Sequence, residues 1–77
     1  MSQIQRFLIE RVTFELIEMY MQKNNLEFED AALSVLESKT HMKLMDPETG
    51  LYTDSSASIF ELLESEMKHG KMIQMEQ

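Results

Sequence analysis

The chain has no cysteine and no tryptophan, one proline, two glycines and only seven lysines and arginines among its 77 residues. Each scarcity removes an option. Without cysteine there is no disulfide and no thiolate metal site. With so little proline and glycine, few points can interrupt a helix. Seven cations face fourteen carboxylates, for a net charge of −7. Duplex nucleic acids are bound largely by neutralising phosphates with Lys and Arg, so an evenly acidic chain without a basic patch argues against a nucleic-acid partner. Its charge suits solubility, or the masking of a basic partner surface. No apolar run approaches the roughly 20 residues needed to cross a bilayer. The opening Met1-Ser2-Gln3-Ile4-Gln5-Arg6 lacks the apolar core of a signal peptide. The expectation is a cytoplasmic protein without a membrane partner.

What remains must fold with little material. A chain this short is one domain and buries only about 60% of the surface its unfolded form exposes. Small domains lacking disulfides and metals rely on tight helix packing or on a second copy. The apolar fraction of 43% and charged fraction of 27% place it among globular chains. Eight methionines are many for this length. Met is a flexible filler of cores and also recurs at adaptable binding surfaces; core filler is the simpler reading.

The first long segment, Ile4 to Lys23, contains neither proline nor glycine and predicts a helix ending at Asn24-Asn25, where asparagine tolerates a left-handed closing residue. Advancing about 100° per residue separates two apolar groups on its surface. One holds Leu8, Val12, Leu16 and Met19, with Ile9 and Tyr20 at its edges. The other holds Phe7, Phe14 and Met21, with Ile17 nearby. A helix flooring a small domain needs one stripe. The second stripe therefore predicts an interface formed by Phe7, Phe14, Ile17 and Met21, buried either by the remaining helices or by another chain.

A second helix is expected from about Glu27 to Ser38, with Glu27, Glu29 and Asp30 suiting the positive end of its dipole. A short helical turn over His41 to Met45, capped by Thr40, should follow. Asp46-Pro47-Glu48-Thr49-Gly50 is the strongest turn signal: Pro47 presets φ, Asp46 can bond the backbone beyond it, and Gly50 permits positive φ. Leu51-Tyr52-Thr53 reads as an extended coil pinning Leu51 and Tyr52 to the helices, with Asp46, Pro47 and Gly50 shaping the connector. Asp54-Ser55-Ser56 offers caps for a last helix whose apolar face is Ile59, Leu62, Leu63 and Met67, flanked by Phe60. Gly70 is the expected stop. The domain is thus 1–70, with 71–77 a tail, frayed or helical.

No catalytic constellation emerges. His41 and His69 lie in no metal-ligand spacing; His69 reads as a dipole partner in a last turn and His41 as a partly packed residue. No serine sits in a nucleophile elbow. Asp46-x-Glu48-x-Gly50 fails as a calcium loop because the glycine falls at the fifth position and Ala57 at the twelfth. Gly70-Lys71 lacks the glycine-rich loop and following hydroxyl of a phosphate site. No helix is basic enough to serve as a DNA recognition helix. No cofactor or metal is expected.

One segment is different in kind: Ser38-Lys39-Thr40, then Leu44, then Asp46-Pro47-Glu48-Thr49-Gly50-Leu51-Tyr52 and Ser55. It resembles a motif of small bacterial helical proteins of unknown function, some encoded beside toxin–antitoxin-type genes. The likeness extends through Ile59, Phe60, Glu61, Leu62 and Leu63. The family pattern tends to carry aromatics where this chain has His41 and Ser58. The resemblance implies a helical fold and a bacterial setting, and no substrate or catalytic residue.

The combined expectation is all-α: a small bundle of three principal helices with a short extra helical turn before the third. The expected function is non-enzymatic protein–protein interaction or regulation, as a homodimer joined through the first helix and with an unidentified protein partner open to it. The alternative is a small-ligand-binding module or minor enzyme built on the Asp46–Tyr52 loop.

Overall fold

A computed structural model of the chain describes the backbone of residues 1–76 and the side chains of 1–69. It is all-α: α1 (Gln3–Asn24), α2 (Phe28–Leu36), α3 (Lys39–Met45), two 3₁₀ turns at Pro47–Thr49 and Leu51–Thr53, and α4 (Ser56–Glu76). Four helices stand where the sequence predicted three and an extra turn. The difference is α3, whose seven residues pack against α4 and bury Thr40 and Leu44.

Helix ends follow local chemistry. Ser2 and Gln5 form a reciprocal capping box at the start of α1, each side chain bonding the other's backbone N–H; two orphan donors are satisfied at once. Asn25 closes α1 in the left-handed region (φ 53°, ψ 50°), and Leu26 N–H returns to the Met21 carbonyl at 3.0 Å. The expected α2 shortens by a residue at its start and two at its end, and Glu27 caps it without a side-chain bond. Ser38, not Thr40, caps α3: its Oγ accepts from His41 N–H and donates to the Val35 carbonyl.

The connector is more ordered than expected. Asp46 Oδ1 accepts from Glu48 N–H at 3.0 Å, with Pro47 opening the first 3₁₀ turn. Gly50 at φ 68° closes it, a conformation glycine adopts without penalty. Leu51–Thr53 is then a second 3₁₀ turn, not extended coil. Three residues with no strand to pair with satisfy their backbone best by coiling locally. Ser55 Oγ accepts from Ser58 N–H to start α4. That helix passes Gly70, the predicted stop, and runs to Glu76; of the tail beyond it, Gln77 lies outside the described residues, as do the side chains from Gly70 on.

The core is a single cluster in which Ile9, Val12, Leu16 and Ile17 of α1 meet Ala31 and Val35 of α2, Leu44 of α3, and Ile59, Phe60 and Leu63 of α4. Met19, Tyr20, Leu26, Leu51, Tyr52 and Met67 pack around it. Ala31 and Ala32 let α2 approach α1 closely. The molecule measures 38 × 30 × 18 Å. Helices pack about 8–10 Å apart, so 18 Å holds two layers and not three.

Candidate functional site

Two layers leave α1 with one covered face and one open face. The covered face carries Ile9, Val12, Leu16 and Ile17. On its flanks Gln5 Nε2 donates to the Tyr52 hydroxyl at 3.0 Å, Ser56 Oγ donates to Glu15, and Lys23 pairs with Glu64. These contacts bind α1 to the second 3₁₀ turn and to α4.

The open face carries large apolar side chains. Ile4 is 73% exposed, Phe7 64% and Phe14 52%; Phe28, at the start of α2 and 48% exposed, sets its ring 6.5 Å from that of Phe14 at 48°, within the range of favourable aromatic pairs. Of the four residues the sequence assigned to this stripe, Phe7 and Phe14 lie outward. Met21 is half-buried against the core's edge. Ile17 is a correction: it is buried within the core beside Leu16, because α2 covers its side of α1. Ile4 and Phe28 were missed. Ile4 stands three residues before Phe7, a spacing that shares a helix face, and could have been found. Phe28 shares by spacing the α2 face of Ala32 and Val35, yet at the first position of that helix it lies beside Phe14.

Apolar exposure is not confined to this face. Among the described residues, the ten buried core residues are matched by ten large apolar side chains that are 47% exposed or more, including Leu33, Leu36, Met42, Met45 and Leu62.

The loop Asp46–Tyr52 acts as a structural strap. Thr49 Oγ1 donates into the carbonyls of Lys43 and Asp46, Leu51 packs on the core, and the Tyr52 hydroxyl is taken by Gln5. It does not gather Tyr52, His41 and carboxylates into one pocket. A groove of about 260 Å³ beside it is lined by Lys39, Thr40, Leu51, Leu62 and Glu66. A larger open groove, about 670 Å³, lies between the end of α1 and α4, with Tyr20, Lys23, Glu64 and His69 among its walls. Neither contains His41 or Tyr52. Among the described residues no three His, Asp or Glu side chains stand together as a metal site, and no helix is long and apolar enough to cross a membrane.

Polar chemistry concentrates on α3. Glu66 of α4 reaches the start of α3: Oε2 accepts from Lys39 N–H at 2.8 Å, and Oε1 accepts from Thr40 N–H at 2.9 Å and from the Thr40 hydroxyl at 2.8 Å. Burial alone would raise its pKa, but the three hydrogen bonds and the Lys39 charge outweigh it and hold the carboxyl below its usual range. No local pattern announces a cap arriving from the next helix. His41 leans the other way, its Nε2 3.2 Å from Thr13 Oγ1 on α1. Thr13 spends its proton on the Ile9 carbonyl at 2.8 Å, so Nε2 carries the hydrogen and donates. Burial pushes the His41 pKa down.

Comparison with protein-family models, curated proteins and solved structures returned no match.

Proposed function

We propose that the protein is a non-enzymatic interaction protein that self-associates through the outer face of α1, with Phe7 and Phe14 at the centre of the contact and Phe28 beside them. The observation that carries this reading is the exposed ring pair of Phe14 and Phe28, with exposed Phe7 two turns away along α1, on a two-layer slab. Contiguous apolar patches of this kind mark interaction sites on soluble proteins. The Ser38–Tyr52 resemblance fits a small regulatory partner of another protein, a role that self-association does not oppose.

Light scattering on the native chain at micromolar concentration tests the proposal. The expected mass is that of a dimer, and Phe14→Glu, which places a charge in the middle of the face, should return a monomer that keeps its helical content. A wild-type monomer overturns the reading.

A further inference from the structure

We propose that the partner on this face is a second copy of the chain running antiparallel, with the two-fold axis passing between Val12 and Thr13. The inference rests on the self-association proposed above and adds its direction and register.

The open face of α1 presents Ile4, Phe7, Arg11, Phe14 and Glu18, with half-buried Met21 at its edge, alternately three and four residues apart. That alternation is the spacing of a two-helix seam. Exposure along it runs from 73% at Ile4 through 64% at Phe7 to 52% at Phe14, with Arg11 and Glu18 exposed between and beyond them. Four of the six are apolar. The other two carry opposite charges, and this decides the direction.

In a parallel pair each residue meets its own copy. Arg11 would face the partner's Arg11 and Glu18 the partner's Glu18, two like-charge contacts inside a patch that excludes water. Like-charge contacts of this kind are one of the two ways an interface discriminates against an alternative arrangement. In the antiparallel pair Ile4 lies on the partner's Met21 and Phe7 beside the aliphatic stem of the partner's Glu18. Arg11 lies over the ring of the partner's Phe14, the geometry of a cation–π contact. Arg11 and the partner's Glu18 then fall in neighbouring layers, about 6 Å apart along the axis, within reach of an ion pair. The two-fold repeats every contact. The existing Arg11–Glu15 pair is long, 3.8 Å, and exposed on both sides, so it holds Arg11 only weakly.

The absence of cysteine makes register directly measurable. Ile4→Cys and Met21→Cys chains, each alone and mixed at micromolar concentration, are oxidised and their disulfides identified by mass, with light scattering on the reduced samples. The expected result is dimeric reduced protein and a mixed disulfide at least tenfold in excess of either homodisulfide. Dimers in which Ile4→Cys links to itself overturn the antiparallel direction and leave self-association standing. Dimers with no cross-link place the contact elsewhere and overturn the inference too. A monomeric wild type removes the underlying reading instead. Should Met21→Cys fail to fold, charge reversal decides through exposed positions alone. Arg11→Glu and Glu18→Arg should each weaken the dimer about tenfold, and together recover the share of the ion pair, with the contact of Arg11 on Phe14 still lost. In a parallel pair the double reversal restores nothing.

Discussion

The two seams that join the helices are built from different chemistry. Between α1 and α2 the contact is apolar: Val12, Leu16 and Ile17 meet Ala31 and Val35, and no side-chain hydrogen bond crosses it among the described residues. Around α3 the contact is polar: Glu66 holds its first turn, Thr49 holds its last, and His41 ties it to α1. Length explains the contrast. The 22 residues of α1 supply four buried side chains, all apolar, while the seven of α3 supply two, Thr40 and Leu44. A helix of two turns is unstable alone, and directional bonds to its termini substitute for the area it lacks. The apolar seam should therefore be strong and indifferent to pH, and the polar one weaker and pH-sensitive.

The largest effect expected is at the apolar seam. Leu16 is fully buried, and Leu16→Ala should cost about 3 kcal/mol, from lost transfer energy and the cavity left behind. Against a total stability of roughly 4–12 kcal/mol for a domain of this size, that is a major fraction. Urea unfolding at pH 4, 6 and 8 should give the same loss each time. A loss that varied with pH would mean the two seams are not separable.

Glu66→Gln sharpens the polar side. The amide keeps the shape but loses the charge and one acceptor of the three-donor cap, at a cost of about 1–3 kcal/mol. The sign with pH follows from the lowered carboxyl pKa. The folded state binds the proton less readily than the unfolded one, so the cap's contribution is complete above the unfolded value, near 4.5, and is lost as pH falls through the folded value. Wild-type stability should fall steeply in that acid range and the Glu66→Gln curve should be flatter. Parallel curves would detach the cap from acid unfolding.

The same contrast explains what the sequence disclosed. Apolar periodicity revealed both faces of α1, and the left-handed Asn25 and the turn at Asp46–Gly50 follow from residues whose local chemistry permits little else. Features set by tertiary contact were not legible. Thr40 reads as a cap for α3, yet Ser38 takes that role and Thr40 turns to a carboxylate 26 residues away. Ile17 reads as part of the outer stripe until α2 is laid over it. Gly70 reads as a stop, since glycine is weakly helical, but at about 1 kcal/mol the penalty is small enough for a helix to continue through it.

The smallest effect is expected where the two seams meet. His41 stands on the polar helix and donates to Thr13 on the apolar one, so it reports whether they are coupled. Its imidazole is buried enough to favour the neutral form. The folded state thus takes up the proton less readily than the unfolded chain, and stability should be complete above the unfolded value of 6.5 and decline as pH falls through it. Because Nε2 already carries the hydrogen, protonation at Nδ1 leaves the Thr13 bond intact, and the decline comes from burying a charge. His41→Gln offers an amide N–H in place of Nε2 and does not titrate, so it should match the wild type at pH 8 and lose the slope between pH 5 and 7. His41→Ala loses the bond as well, and should lie about 1 kcal/mol below His41→Gln at every pH. If His41→Gln kept the slope, the neutral pH dependence would originate elsewhere; if His41→Ala cost nothing beside it, α3 would be fastened to α1 by Leu44 and not by its histidine.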